Sequence, residues 1–521
     1  METKEILKFC LEKGFLLDKD ILALFSESND VETSKRLIED IGQQTQKKII
    51  TKKIFYENKD QLSRILLDLP KDNHKLIESL KIQLGLSIEI SKEVAIPIQQ
   101  ETQKDVQQFE NVKIVSAVPN YLGRKIEVKD FVNYFRNRFT EMKKILQERN
   151  QLSNLVSIDK IYGNRQGISL IGIVLNKRVT KNGNILFEIE DMTGKVLALV
   201  NKNKQELYNK ADELALDAVV GLKCSGNREI VYINDIIFPE AILFERKKSP
   251  VEELALFTGD LHIGSKKFLE ENFLRFIDYL NGKLPNTQET NKIKYLFLVG
   301  DIITGVGNYP AQEKDLAFTD LESQFEKAAE LLGKIRQNIK IIISPGNHDG
   351  VRLMEPQPFL DEKYAWPLYN LKNVILTANP AMVNIGAQKN FPGFDVLTYH
   401  GFSYTYYANN IGSLMQEKAM NNPEKIIAYL LKNRHLAPTH SSVQYSPTTE
   451  DVHIVKKIPD IFFSGHVHKS AVSYFNNILT ISGSCWESMT AYQEKFGNTP
   501  DHCKVPIFNL KTRAIKILDF E

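Results

Sequence analysis

Five short polar motifs in the second half of the chain each follow directly on an apolar run. They are Asp260-Leu261-His262, Gly300-Asp301, Gly346-Asn347-His348-Asp349, His400 and Gly465-His466-Val467-His468. The apolar runs predict buried strands, and the neighbouring glycines permit tight turns that aim side chains inward. Loops beyond the carboxyl ends of strands in an α/β sheet converge on one crevice. We therefore expect the five motifs to form one site.

The side chains in these motifs are imidazoles, carboxylates and an amide, which suit borderline divalent ions such as Mn²⁺, Fe²⁺ or Zn²⁺ better than Ca²⁺ or Mg²⁺ alone. A lone Asp-x-His or His-x-His pair is usually a capping or surface pair, so the prediction depends on the five motifs together. Two neighbouring cations can orient a phosphate and generate hydroxide at neutral pH. The sequence thus predicts a metal-dependent hydrolase of phosphodiester bonds.

In this order the motifs resemble the calcineurin-like metallophosphoesterase superfamily, and the resemblance covers residues 251–521. It implies a layered β-sandwich flanked by helices, with two divalent metal ions. By this resemblance Asp260, His262 and His468 would hold one metal, Asn347, His400 and His466 the other, and Asp301 would bridge both. His348 would be no ligand, but would stabilise or protonate the departing oxygen.

We expect several other polar residues near or outside the motifs to have structural rather than metal-binding roles. Asp349 is expected to orient His348 or to cap the turn rather than to bind metal. The histidines outside the motifs are expected to be structural or surface residues; they are His74, His435, His440, His453 and His502.

Longer stretches resemble the small subunits of archaeal family D DNA polymerases. They are residues 264–270, 305–313, 351–352 with 355–358, and 434–438. This resemblance implies a Mn²⁺-dependent proofreading 3′–5′ exonuclease in the cytoplasm of an archaeal cell, acting on single-stranded or mismatched DNA 3′ ends. It implies a large catalytic polymerase subunit as partner. A sliding clamp is a further candidate partner, although no clamp-binding peptide is recognisable. Residues 483–488 depart from the family pattern.

Three alternatives share part of this pattern. A catalytically silent scaffold subunit is expected to lack metal ligands, and none is missing here. A free-standing nuclease of the same superfamily is disfavoured by the barrel predicted ahead of the phosphoesterase region. A protein phosphatase is disfavoured because Asp301 is not followed shortly by arginine and because the third motif ends in Asp349 rather than glutamate.

The length of 521 residues predicts several domains, and the expected fold class is multidomain α+β. Apolar residues at helical spacing predict an N-terminal helical unit over residues 1–85. Accumulated glutamine, with Pro97 and Pro119, predicts a flexible linker over 86–129. A connecting helix is predicted over 130–150, and alternating strands and helices predict the α/β domain over 251–521.

Short β-patterned runs predict a barrel over residues 151–245. The runs are 168–175, 185–190, 196–200 and 230–237, separated by turn residues such as Asn182-Gly183. Their order resembles an OB-fold barrel. Such barrels often hold single-stranded nucleic acid by aromatic side chains on a basic groove. Because these strands carry few exposed-looking aromatic residues, a structural or docking barrel is an equal expectation.

Charge, cysteine spacing and hydropathy limit the binding partners and the cellular location expected for this chain. The formal net charge of +2 gives no bulk attraction to nucleic acid, so nucleic-acid binding must be argued from sites. The cysteines Cys10, Cys224, Cys485 and Cys503 have no CxxC spacing and are expected to be isolated core thiols. No signal peptide is recognisable, and no apolar run approaches the ~18 residues that span a bilayer. These features predict a soluble intracellular protein.

Overall fold

The computed structural model describes residues 2–18, 34–35, 38–39, 49–50, 111–117, 125–285, 287–490, 493–494 and 499–521. The chain divides into two compact units, Met1–Lys104 and Asp105–Glu521. In the first unit the described elements are helix α1 (Glu2–Lys13) and the parallel strands β1 (Leu16–Leu17) and β2 (Ile49–Ile50). Most of the helical unit predicted over residues 1–85, including His74, lies outside the described residues.

The first of two six-stranded mixed sheets in the second unit carries the strands ahead of the first three motifs. Its strands, in spatial order, are β12 (Val374–Leu376), β11 (Lys340–Ser344), β10 (Ile293–Val299), β9 (Leu254–Thr258), β18 (Lys504–Asn509) and β19 (Ile515–Asp519). Strands β9 to β12 are parallel, and β18 is antiparallel to both its neighbours. The first three motifs therefore leave the sheet at the same edge.

The second sheet carries the strands ahead of the last two motifs. Its strands, in spatial order, are β16 (Ala471–Phe475), β17 (Ile478–Ser482), β15 (Ile461–Ser464), β14 (Phe394–Thr398), β13 (Ala381–Ile385) and β3 (Val112–Ala117). Strands β14, β15 and β17 are parallel, whereas β13 is antiparallel to β14 and to β3. The fourth and fifth motifs thus also share one edge.

The two sheets pack face to face through an apolar core. Phe257 of β9 stacks on Phe297 of β10 with ring centroids 5.2 Å apart and meets Phe463 of β15 edge-on at 5.2 Å. Helices cover the outer faces: α4 (Glu270–Leu280), α5 (Leu321–Gly333) and α6 (Glu362–Tyr369) on the first sheet, and α7 (Tyr404–Asn410), α8 (Gly412–Gln416) and α9 (Pro423–Asn433) on the second. This is the layered arrangement expected for residues 251–521.

Residues 165–237 form a closed five-stranded barrel. Its elements along the chain are β4 (Arg165–Val179), β5 (Ile185–Asp191), β6 (Gly194–Val200), helix α3 (Gln205–Asp212), β7 (Val219–Gly226) and β8 (Ile230–Ile237). The spatial order is β4-β5-β6-β8-β7, and long β4 closes the barrel by pairing with both β5 and β7. Strand β7 was not predicted, because its first four residues are all buried and show no alternation.

Helix α2 (Val128–Gln147) lies between the barrel and the phosphoesterase region. Phe139, Met142 and Leu146 pack in one cluster with Val219 of the barrel and Ile454. The sequence predicts a connecting helix over 130–150, and the helix of the structure begins two residues before that range and ends three residues before its end.

The predicted linker over residues 86–129 needs one correction. Within it, β3 is an edge strand of the second sheet, antiparallel to β13. Its side chains are mostly exposed, so the buried-strand pattern is weak in the sequence, and its pairing to a strand more than 260 residues away is a tertiary contact. Across the part of the chain that the structure describes, no helix is both long and apolar enough to cross a membrane.

Candidate metal centre

All five motifs meet at the adjoining edges of the two sheets. Asp260 and His262 follow β9, Asp301 follows β10, and Asn347 and His348 follow β11. His400 follows β14, and His466 and His468 follow β15. The structure therefore brings every predicted site residue to one place, from parallel strands of two different sheets.

The first group contains Asp260, His262 and His468, whose potential ligand atoms lie within 4.8 Å of one another. The Nε2 atoms of His262 and His468 are 3.2 Å apart, and Nε2 of His468 is 3.5 Å from Oδ1 of Asp260. Asp260 and His262 are almost completely buried. These are the residues expected to hold the first metal.

The second group contains Asp301, His400 and His466, again within 4.8 Å of one another. Nε2 of His400 is 3.2 Å from Oδ2 of Asp301 and 3.0 Å from Oδ1 of Asn347. The amide oxygen of Asn347 therefore faces the same space as the imidazole of His400.

Asp301 stands between the two groups. Its Oδ2 is 4.0 Å from Nε2 of His262 in the first group and 3.2 Å from Nε2 of His400 in the second. Its Oδ1 accepts a hydrogen bond of 2.8 Å from the backbone N–H of His348, which fixes the carboxylate plane. Asp301 therefore faces both groups.

The backbone at five of these residues is left-handed: φ is 47° at Asp260, 51° at His262, 48° at Asp301, 69° at His466 and 55° at His468. Non-glycine residues seldom adopt this conformation, and it costs of order 1–3 kcal/mol each. At these residues the backbone turns sharply after the strand. The side chains therefore point to the adjoining edges of the two sheets. Such strain is characteristic of functional sites.

Two glycines allow the close approach of these loops. A Cβ at Gly300, where φ is 76°, would come 1.9 Å from Nδ1 of His400. A Cβ at Gly465 would come 2.4 Å from Oδ2 of Asp260. Any larger residue at either position would displace a predicted ligand.

Further residues orient the imidazoles, and the sequence did not point to them. Nδ1 of His400 lies 3.4 Å from the carbonyl oxygen of Val299, a contact that holds the ring with Nε2 facing Asp301. Oδ1 of Asn379 accepts from the backbone N–H of His400 at 2.9 Å. The side-chain amide of Gln493 lies 2.9 Å from Nδ1 of His468. None of these residues stands in a recognisable motif.

Burial and neighbouring charges set the protonation states. Burial opposes ionisation of Asp301, but the imidazoles of His400 and His348 hold its pKa well below the ordinary value. Burial also disfavours a charged His400, yet Asp301 outweighs it and raises the pKa of His400 to about 9. Burial, with His400, lowers the pKa of His466 to about 3. The site therefore keeps an anionic carboxylate at its centre and a neutral imidazole at His466.

Asp349 lies beside the site but faces the backbone. Its Oδ1 accepts from the N–H of Ile303 at 3.0 Å and its Oδ2 from the N–H of Gly346 at 2.7 Å. Burial and the nearby charge of Asp301 raise its pKa to about 7. Of the two roles expected for Asp349, the structure shows the capping of the turn.

The histidines outside the motifs have other environments. His435 and His453 are buried in a network of polar contacts around Asp451. His440 is exposed, and Nδ1 of His502 is 3.6 Å from Sγ of Cys485. Cys10, Cys224, Cys485 and Cys503 are free and buried, as expected for core thiols.

The donor set fits divalent cations. Imidazole nitrogens, carboxylate oxygens and the amide oxygen of Asn347 converge there, and this mixture suits Mn²⁺, Fe²⁺ or Zn²⁺. Among the residues that the structure describes, the buried Nδ1 of His262 has no hydrogen-bond partner. Six side chains with oxygen or nitrogen donors surround the central Asp301 carboxylate.

Comparison with known proteins places this site in a family. A family model for calcineurin-like phosphoesterases matches residues 255–470. The chain is 34% identical over 423 residues to the DNA polymerase II small subunit of Pyrococcus furiosus, covering 79% of this chain and 67% of that protein. It is 32% identical over 412 residues to the DNA polymerase II small subunit of Methanothermobacter thermautotrophicus, covering 78% of this chain and 83% of that protein.

The similarity to the Methanothermobacter protein extends over most of both chains, so it is not limited to a shared phosphoesterase domain. The DNA polymerase II small subunit of Methanocaldococcus jannaschii is also 34% identical, over 391 residues that cover 74% of this chain and 64% of that protein. The chain therefore belongs to the family of archaeal DNA polymerase II small subunits, the small subunits of family D DNA polymerase, and carries a calcineurin-like phosphoesterase domain.

Proposed function

We propose that this chain is the 3′–5′ proofreading exonuclease of a two-subunit replicative DNA polymerase and hydrolyses phosphodiester bonds at single-stranded or mismatched DNA 3′ ends. The observation that carries the proposal is the position of Asp301, with one carboxylate oxygen 3.2 Å from His400 and 4.0 Å from His262. A shared carboxylate between two groups of imidazole and oxygen donors is the arrangement for two-metal phosphoryl chemistry.

We assign Asp260, His262 and His468 to one metal, Asn347, His400 and His466 to the other, and Asp301 to both. Mn²⁺ is the proposed ion, with Fe²⁺ and Zn²⁺ accepted by the same donors. Two such ions would polarise the phosphate, supply the nucleophile and neutralise charge on the leaving oxygen. His348, which is not assigned as a ligand, stabilises or protonates the departing 3′ oxygen.

Further proposals concern the partner of this chain and its domains. The names of the relatives imply a large catalytic subunit as partner. We propose that the barrel over residues 151–245 is of the OB type, which its order β4-β5-β6-β8-β7 and the helix between β6 and β7 support. We propose a phosphoesterase domain over 251–521, and an N-terminal domain over 1–85.

The proposal is tested with the metal-loaded chain, alone and with its large subunit, on DNA carrying a mismatched 3′ end. We expect release of 5′-mononucleotides with Mn²⁺. His348→Ala should lower the rate by about a hundredfold or more at unchanged metal content, because an acid or hydrogen-bond donor is removed. Asp301→Asn should lower both rate and metal content.

Asp278→Asn is the matched control, since Asp278 is an exposed carboxylate of α4 paired with Lys283. It should leave the rate unchanged. A native chain that carries metal but cleaves no faster than the Asp301 and His348 variants, alone and with the partner, contradicts the exonuclease proposal and favours a scaffold role.

A further inference from the structure

The loop over residues 305–318, which follows β10, lies against His348. Nδ2 of Asn308 is 2.9 Å from Nδ1 of His348. A Cβ at Gly305, where φ is 71°, would come 2.3 Å from the carbonyl oxygen of His348. The loop therefore forms a wall of the candidate metal centre, on the side of the residue proposed to act on the departing oxygen.

Two buried glutamines fix this loop. The backbone N–H of Asn308 donates to Oε1 of Gln312 at 2.8 Å, and Gln312 is 1% exposed. The backbone N–H of Gly305 donates to Oε1 of Gln324, a fully buried residue, at 2.9 Å. The backbone of the loop is therefore held on both sides of the point where it meets His348.

Tyr309, the residue after Asn308, is anchored at its hydroxyl and partly open to solvent. The hydroxyl donates to Oδ2 of Asp315 at 3.0 Å, and the residue is 44% exposed. An aromatic ring that is held in place and still accessible can stack on a nucleic-acid base, and such stacking tolerates any sequence because every base has a π-face.

The segment over residues 486–488 borders the metal centre near this ring. The backbone N–H of Trp486 donates to the carbonyl of Asp260 at 3.0 Å, and Glu487, which is 7% exposed, follows it. Desolvation of the Tyr309 hydroxyl and its hydrogen bond to Asp315 raise the pKa of this phenol, and the charge of Glu487 raises it further. Tyr309 therefore lies at the rim of the candidate metal centre.

Charge at this rim is mixed. Exposed lysines and exposed carboxylates both occur there; they are Lys266, Lys267, Lys314, Glu313 and Asp315. The ammonium groups of Lys266 and Lys267 each donate to a backbone carbonyl, and among the described residues neither forms an ion pair with a carboxylate. These two lysines can contact the phosphates of a strand, whereas a contact with its bases requires the aromatic ring.

Hydrolysis at a 3′ end determines which nucleotide lies beside His348. The oxygen of water bonds to phosphorus, the bond from phosphorus to the 3′ oxygen of the penultimate nucleotide breaks, and that oxygen takes up a proton. The products are a 5′-mononucleotide and a strand with a new 3′ hydroxyl. Because His348 is assigned to the departing oxygen, the penultimate nucleotide lies on the side of the loop over residues 305–318.

We propose that Tyr309 stacks on the base of the penultimate nucleotide and so holds the departing 3′ oxygen beside His348. A paired penultimate base has both faces covered by its neighbours in the duplex, so the contact requires a single-stranded or unpaired end. This inference rests on the proposed phosphodiesterase function and adds to it a substrate-binding residue that selects such ends.

A binding test uses DNA that cannot be cleaved. Two single strands carry a 5′ dye and a methylene group in place of the departing 3′ oxygen, and they differ only in an adenine or an abasic site at the penultimate position. With the native Mn²⁺-loaded chain, fluorescence anisotropy should show about tenfold weaker binding of the abasic strand, because one stack is lost. Tyr309→Leu should bind both strands equally, at the weaker affinity.

Two further variants serve as controls. Tyr309→Phe keeps the ring and removes the hydroxyl that donates to Asp315, so it should retain the preference for adenine. Tyr474→Leu, at a tyrosine of β16 that is 39% exposed, should behave as the native chain.

Cleavable forms of the same two strands test the reaction. The abasic site should lower kcat/KM of the native chain by about tenfold and that of Tyr309→Leu by no further factor. A merely structural role of Tyr309 would instead slow cleavage of both strands alike and preserve the difference between them.

The outcomes separate the stacking contact from the proposed function. Equal abasic penalties in the native chain and Tyr309→Leu overturn the stacking contact and leave the exonuclease proposal intact, as does a Tyr309→Phe variant as impaired as Tyr309→Leu. A metal-loaded native chain that cleaves neither strand, alone or with its large subunit, overturns the proposed function, while the uncleavable strands still show whether Tyr309 binds the penultimate base.

Discussion

The ligands of the candidate metal centre depend on residues that touch no metal. His400 is oriented through the Val299 carbonyl and the Asn379 side chain, and Asp301 is oriented by the backbone N–H of His348. Partners of this kind are worth about tenfold or more in metal affinity. We therefore expect substitutions at these neighbours to weaken metal binding.

Gly465 gives the clearest test at this scale. Gly465→Ala should weaken metal binding by at least about tenfold, because its Cβ would come 2.4 Å from Oδ2 of Asp260 and displace that carboxylate. Gly483→Ala is the matched control, since the nearest atoms to a Cβ there are at 3.5 Å, an ordinary contact. Metal content by mass spectrometry and exonuclease rate measure the effect. Equal metal content in the two variants would show that Asp260 is no ligand.

One buried arginine, Arg138, links helix α2 to the phosphoesterase region. Arg138 is 1% exposed; its Nε is 2.5 Å from Oδ2 of Asp451, and its Nη1 donates to the carbonyl of Pro438. Asp451 also accepts from Tyr134 at 2.7 Å and lies 2.9 Å from His435. The helix is therefore fixed to the phosphoesterase region by a charge pair without access to water.

Replacing this arginine should be costly. Arg138→Met should lower the unfolding free energy by about 3–5 kcal/mol, because it leaves the buried Asp451 carboxylate without its cation. Arg136→Met, at an exposed position of the same helix, should change it by less than about 0.5 kcal/mol. Both tryptophans, Trp366 and Trp486, lie in the phosphoesterase region, so their fluorescence in urea follows its unfolding. Similar urea midpoints for the two variants would contradict a stabilising role of the pair.

For the molecule as a whole, the candidate metal centre takes residues from both sheets. The first sheet supplies Asp260, His262, Asp301 and Asn347, and the second supplies His400, His466 and His468. Ions bound there would hold the open edges of the sandwich together. Stability of the phosphoesterase domain should consequently depend on metal.

Chelation tests whether the stability of the phosphoesterase domain depends on metal. Removing metal from the native chain should lower the melting temperature by roughly 5 °C, since an ion at a hundred times its Kd stabilises by about 2.7 kcal/mol. Restoring Mn²⁺ should recover it. Asp301→Asn should melt at the same temperature with and without Mn²⁺, because the residue proposed to bridge both ions is altered. A native chain with a melting temperature independent of Mn²⁺ would contradict a metal that spans the sheets.

The sequence by itself determined the ligand candidates and the strands ahead of them. An apolar run followed by a polar motif is a local pattern, and it located Asp260, Asp301, Asn347, His400 and His466 at strand ends. Helices α4 and α5 were also predictable, since their buried residues repeat with helical spacing. Local periodicity carries this information because it reflects which face of each element is buried.

Only the tertiary structure decided what depends on contacts between distant residues. Edge strand β3 and buried strand β7 lack alternation, and their pairing gives no local signal. Likewise the ion pair of Arg138 with Asp451 and the approach of Asn308 to His348 join residues tens to hundreds of positions apart. Their energies arise in the packed state, from burial and from hydrogen bonds closed to water, so no local pattern encodes them.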